Sequence, residues 1–133
     1  MIFVDTSAFA ALENRRDQKH AEALRLRDSA RKKGEALITS DYVLDETLTL
    51  LSGRAGRSVA IDFGSAVLAS KAVTIHRITS DIFSASWRLF SGYQDKDFSF
   101  TDCTSFALMK ELGITKAFTF DKHFSQLGFV TLT

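Results

Sequence analysis

Five short apolar runs, set apart by longer segments with helical spacing, constrain this chain more than any other feature. The runs are "IFV" at 2–4, "ALIT" at 36–39, "VTIHRI" at 73–78, "KAFTF" at 116–120 and "GFVTL" at 128–132. Each is too short for a stable helix and is bounded by polar or turn-forming residues, so each is predicted to be a strand. Between them, apolar residues recur every three or four positions. "TSAFAALEN" follows Asp5, and residues 17–33 carry Ala21, Leu24 and Ala30 and are closed by Gly34. "SDYVLDETLTLLSG" carries Leu44, Leu48 and Leu51 and is expected to stop at Gly53. Further helices are predicted over 58–70, over "SDIFSASWRLFSGY" with Ser80 or Asp81 as cap, and over "FTDCTSFALMKELG" up to Gly113. Strands that alternate with helices argue for an α/β fold, with a mainly parallel sheet of about five strands and helices on both faces. The chain has no proline, internal repeat or low-complexity tract, so residues 1–133 read as a single domain, long enough to bury a core.

Composition excludes several classes. No apolar run is long enough to span a bilayer, and the start lacks a basic leader, so neither a membrane span nor a signal peptide is expected. The single cysteine, Cys103, can form neither an internal disulfide nor a thiolate zinc site alone, which points to a cytoplasmic setting. A net charge of +1 does not describe a uniformly basic nucleic-acid binder. The local clusters "ENRRDQKH", "ARKKG" and Arg54 with Arg57 read first as solvated helix faces. Arg15, Arg16, Lys19, Arg54 and Arg57 are also the cations available to guide a phosphate backbone.

The acids carry the chemistry. In parallel α/β sheets, sites form outside the carboxyl ends of the strands. Asp5 follows "IFV" and Asp121 follows "AFTF", which puts both at that edge. Each also suits a helix cap, Asp5 before "TSAFAAL" and Asp121 before "KHFSQL". Glu46 projects onto the flank of the stripe made by Leu44, Thr47, Leu48 and Leu51, neither central to the core nor fully outward. Asp45 and Asp41 project further away, and Asp41 suits the first turn of its helix. Asp102 lies in "SFTDCTSF", sharing a helix face with Phe106 and Met109, and a carboxylate buried there needs a partner. Ser99 and Asp102 also match a capping box, which positions a carboxylate without neutralising it. Two helices can bring Glu46 and Asp102 to the edge where Asp5 and Asp121 end their strands. Four carboxylates there repel one another, and a hard divalent cation, Mg²⁺ or Mn²⁺, is the usual remedy. The chemistry that fits is hydrolysis of a phosphodiester.

The order "MIFVDTSAF", "ITSDYVLDETLTLL", "FSFTDCTSFALMKELGITKAFTFDKHFSQLGF" resembles the PIN-domain family, and within it the VapC-type toxins of prokaryotic toxin–antitoxin pairs. The likeness covers nearly the whole chain, and "DTSA" with "TDCTSF…TFDKHF" is specific in combination. It implies a three-layer α/β/α domain and metal-dependent RNA cleavage by a quartet of acids. By matching positions that quartet is Asp5, Glu46, Asp102 and Asp121, with Ser7 and Thr101 at assisting hydroxyl positions. It further implies a homodimer and a small antitoxin that blocks the site. The same motifs would suit a PIN nuclease of RNA processing without an antitoxin. A receiver-like signalling module with an acidic Mg²⁺ pocket is the rival from another class. No adjacent acid pair follows the first strand, which speaks against it.

The other candidates read mainly as structure. His20, His76 and His123 are scattered, and only His123, two residues from Asp121, has a place near the site. Cys103 reads as a small buried hydrophobe. Phe3, Phe63, Phe106 and Phe118 are expected in the core, and Phe98 and Phe100 at a more exposed position or a dimer contact. The helix at 80–93 carries Trp87, Phe90 and Tyr93, more apolar surface than one core face needs, and is the expected dimer face.

Overall fold

The computed structural model describes residues 1–133. The first strand, β1 (Ile2–Val4), is buried at all three residues, and since side chains alternate across a strand, both faces of the sheet are covered there. The other strands are β2 (Leu37–Ser40), β3 (Val73–His76), β4 (Lys116–Phe118) and β5 (Val130–Thr131). All pair in parallel, in the order β3-β2-β1-β4-β5. The helices are α1 (Thr6–Glu13), α2 (His20–Lys32), α3 (Asp41–Arg54), α4 (Arg57–Ala69), α5 (Ser80–Gly92), α6 (Phe100–Leu112) and α7 (His123–Gln126). The expected α/β/α layering with a five-stranded parallel sheet is what the chain forms. The chain steps from β1 outward to β2 and β3, then returns to the other side for β4 and β5. The order therefore reverses between β1 and β4, and the crevice beyond the carboxyl ends of those two strands is where such sheets bind ligands. A receiver fold has the order 2-1-3-4-5 instead, so that reading falls with the topology.

Aromatic side chains knit the core. Phe3, Phe106 and Phe118 are fully buried, as is Phe124 of α7, which stacks on Phe3 and meets Phe106 edge-on. Phe9 of α1 meets Phe63 of α4. Helix α6 is buried continuously from Asp102 to Met109, which explains its run of small and apolar residues.

Several local expectations need correction. The third helix does not stop at Gly53; it runs to Arg54 and ends at Ala55, and Gly56, at φ +102°, turns the chain. A glycine inside a helix costs only about 1 kcal/mol against alanine and does not end one by itself. The cap of α5 is neither Ser80 nor Asp81 but Thr79, whose hydroxyl accepts from Ile82 N at 3.3 Å. Helix α2 begins at His20, because Asp17 closes a turn first by accepting from Lys19 N at 2.8 Å. Phe98 is buried, not exposed, and lies edge-on to Tyr93, Phe106 and His123. Phe100 is half-buried, in an aromatic group with Tyr42, Phe83 and Phe90.

Candidate active site

Each functional side chain is delivered by the end of an element. Asp5 is the residue after β1 and the N-cap of α1, and its backbone N–H bonds Phe118 O of β4. This places it on the reversal of strand order. The Asp5 side chain is held through one oxygen. Its Oδ2 accepts from Ser7 Oγ at 3.0 Å, from Thr119 Oγ1 at 2.9 Å and, more weakly, from Ser7 N at 3.4 Å. The two hydroxyls are themselves pinned. Ser7 Oγ accepts from Phe120 N at 2.9 Å and Thr119 Oγ1 from Asp121 N at 3.0 Å. The end of β1 and the segment after β4 are thus tied by hydroxyls that face the acid.

Asp102 sits in the first turn of α6, and the capping box is formed. Asp102 N donates to Ser99 Oγ at 2.9 Å, and Ser99 N donates to Asp102 Oδ2 at 3.1 Å. The same oxygen also faces His123 Nδ1 at 3.0 Å, and that nitrogen lies 3.1 Å from Asp121 Oδ1. An ionised carboxylate can only accept, so with both acids charged Nδ1 is the donor and bridges them. Asp121 Oδ1 further accepts from His123 N at 2.9 Å in a turn ahead of α7; the cap position is Lys122, not Asp121 as expected, and no side chain caps it. The ring of His123 is fixed edge-on by Phe98.

A cleft of about 250 Å³ gathers these groups. Asp5, Glu46, Asp102 and Asp121 all line it, with Ser7, Lys19 and Arg54. Glu46 arrives from α3, half-buried, on one helix face with Leu50 and Arg54, four residues apart each time. Thr101 is not in the wall; its carbonyl serves as acceptor for Thr104 and Ser105 within α6. The hydroxyl that touches Asp5 from the far side is Thr119.

The electrostatics follow from the crowding. Burial pushes the Asp5 carboxyl up to about 6; the Thr119 and Ser7 hydrogen bonds hold it down in part, and the Asp102 charge adds to the rise. Asp102 is raised by burial and by Asp121, against the bonds from Ser99 and His123. The neighbouring Cys103 thiol is pushed up to about 11, first by burial and then by Asp102, so it stays a thiol and packs as one.

The donor set fits a hard divalent cation. Asp102, Asp121 and His123 offer atoms within 4.8 Å of one another, and Asp5 and Glu46 lie outside that cluster in the same cleft. On Asp5, Asp102 and Asp121 the protein's donors all go to a single oxygen, leaving Asp5 Oδ1, Asp102 Oδ1 and Asp121 Oδ2 without a protein partner. The cleft wall also holds Thr6 Oγ1, the one buried side-chain polar atom with no hydrogen-bond partner. Oxygen ligands of this kind suit Mg²⁺ or Mn²⁺.

Sequence reasoning passed over Thr119 and left His123 with proximity alone. Both sit two residues from Asp121, one on each side. Thr119 follows β4 and His123 opens α7, so strand alternation links neither to Asp121, and nearness to an acid at a strand end was the one signal the sequence held.

Comparison with known proteins bears on the fold and the sequence as a whole. The family model described as "PIN domain" matches residues 2–130. The curated 23S rRNA-specific endonuclease VapC20 from two strains of Mycobacterium tuberculosis is 42% identical over 130 residues, covering 98% of this chain and 96% of the relative. A crystal structure of Mycobacterium tuberculosis VapC20, described as a Sarcin-Ricin loop cleaving toxin, superposes with a TM-score of 0.91 at 40% identity. It covers 98% of this chain and 97% of that one. With the family model matched over residues 2–130 and both sequence and fold shared with these relatives, the chain belongs to the PIN-domain family.

Proposed function

We propose that residues 1–133 form one nuclease unit, a divalent-metal-dependent endoribonuclease that acts as the toxin of a toxin–antitoxin pair. The observation that carries the reading is the meeting of four carboxylates from β1, α3, α6 and the segment after β4 in one cleft. The relatives named as 23S rRNA-specific endonucleases support RNA as the substrate class. Asp5, Glu46, Asp102 and Asp121 would hold Mg²⁺ or Mn²⁺, which when bound supplies charge neutralisation, Lewis acidity and an activated water for attack on phosphorus. The chain's own part is preorganisation. Ser7 and Thr119 hold one oxygen of Asp5 and turn the other outward. Ser99 and His123 do the same for Asp102. Half-buried Phe120 and Lys19, whose ammonium lies 5.8 Å from the Phe120 ring centre, form the rim and narrow the access of bulk water. Cleavage by water leaves a 3′-hydroxyl and a 5′-phosphate.

The family supports a cognate antitoxin and a homodimer, and a cytoplasmic location agrees with an RNA target. No helix is long and apolar enough to cross a membrane. The experiment is incubation with RNA and Mn²⁺ or Mg²⁺, with and without EDTA. Metal-dependent cleavage by the parent, with at least about a hundredfold loss in Asp5→Asn and Asp102→Asn, is expected. Normal turnover in either folded variant would reject the metal-site assignment.

A further inference from the structure

The largest cavity of the molecule is not the acidic cleft but a neighbour of about 680 Å³. Its walls come from the end of α1, the start of α2, the end of α3 and α4, and carry Arg15, Arg16, Arg54 and His20. Arg54 lines both cavities. None of the three arginines has a carboxylate within ion-pair distance, whereas Lys19, Arg27, Arg77 and Lys116 each do. Two acids, Glu13 and Asp62, share the lining, and burial raises the Glu13 carboxyl above its ordinary value. Three unpaired guanidinium forks in one concave space are suited to phosphate, which they can grip bidentately.

We propose that this cleft is a track for the RNA backbone, holding phosphates several nucleotides away from the one that is cut. The inference rests on the ribonuclease reading and adds where the strand runs. Helix geometry sets the span. Arg54 lies eight residues beyond Glu46 on α3, and Glu13 closes α1 eight residues beyond Asp5. At 1.5 Å per residue each path is ~12 Å. A stacked strand rises ~3.4 Å per nucleotide, so the span is roughly three to four nucleotides. The Cβ of a helical residue leans toward the helix N-terminus, which carries the Arg54 side chain back along α3 to the wall it shares with Glu46. Arg54 thus sits at the join, with Arg15 and Arg16 further out.

The test uses Arg15→Ala/Arg16→Ala, Arg54→Ala and Arg54→Lys, with Lys71→Ala before β3, at the opposite sheet edge, as control. Thermal unfolding confirms the fold of each. Three measurements are made: kcat and KM for cleavage of a short RNA stem-loop in Mn²⁺, the Kd of the same RNA in EDTA from 50 to 200 mM NaCl, and the Kd of a polyglutamate peptide. The track predicts a KM and Kd raised about tenfold, with kcat nearly unchanged in Arg15→Ala/Arg16→Ala; Arg54 also lines the acidic cleft, so its variants are read by Kd and salt slope. It also predicts a salt slope reduced by about 0.7 for each single-strand phosphate that the variant no longer neutralises. Arg54→Lys keeps part of the affinity and Lys71→Ala all of it. A parent that cleaves while the arginine variants keep its KM, Kd and salt slope overturns the track and leaves the nuclease reading standing. A parent that cleaves no RNA overturns both. Variants that lose only binding to an acidic peptide assign the cleft to a protein partner and overturn the track.

Discussion

Asp5 is the residue whose burial has the clearest measurable consequence. Its carboxyl titrates near 6 in the folded apo chain against 3.8 as an ordinary aspartate, chiefly because burial removes its water. The folded state therefore binds this proton more tightly than the unfolded state. The stability it contributes is complete below pH 3.8 and is lost as pH rises through about 6. The difference is ~3 kcal/mol. In EDTA, parent protein should lose melting temperature between pH 4 and pH 7 relative to Asp5→Asn, and the variant should be the more stable at pH 7. Adding Mn²⁺ at pH 7 should stabilise the parent more than the variant, since a ligand bound only by the native form adds RT ln(1 + [L]/Kd). A constant difference in melting temperature across that range would remove the titration from Asp5. A second expectation concerns the groups behind the acids. His123→Ala and Thr119→Val should each lower Mn²⁺ affinity by about 10–100-fold, read by calorimetry, while every acid remains. The acids were legible because charge at a strand end or in an apolar helix is conspicuous. Thr119 was not, because its meaning comes from a bond to a residue 114 positions away.

At the scale of the element, Asp102 serves two purposes. It closes the capping box of α6 and it faces the cleft. Ser99→Ala removes only the cap partner. It should cost about 1 kcal/mol and roughly 3–5 °C in melting temperature, and it should leave activity near the parent's, because the carboxylate keeps its bonds from Ser99 N and His123 Nδ1. A loss of activity well beyond the loss of stability would show that the Ser99 hydroxyl, and not only its backbone N–H, positions Asp102 for the site. Helix α5 offers a sharper check. Thr79→Ala should cost about 1 kcal/mol, and Ser80→Ala should stay within about 0.5 kcal/mol, measured by denaturant unfolding. Sequence pattern found every helix and the stop of α6 at Gly113, but not every other end. Thr79, Ser80 and Asp81 are three consecutive residues able to cap, and only the backbone angles of the chain choose among them.

For the whole molecule, alternation of short strands with helices made the α/β class and parallel pairing readable, and β1 buried on both sides fixed the centre of the sheet. Pattern also pointed to the exterior of α5, where Trp87, Phe90 and Tyr93 exceed what one core face needs. Phe83, Trp87 and Phe90 are exposed at 44%, 55% and 42%, on a helix with a single buried residue, Ser86. Surface of that kind marks an interface, and the proposed homodimer places it there. Trp87→Glu should shift the sedimenting species from dimer to monomer at micromolar concentration with the fold kept. A monomeric parent would reject the dimer, and a dimeric variant would move it to another face. The wall that Arg54 shares between an acidic and a basic cavity has one further implication for a metal-dependent ribonuclease with an arginine track. Phosphate drawn along the arginines meets repulsion from the uncovered acids, and a cation among those acids removes it. RNA and cation then act as effectors of each other, and the factor by which Mn²⁺ tightens RNA must equal the factor by which RNA tightens Mn²⁺. Each ligand is held more weakly alone than when the other is in place.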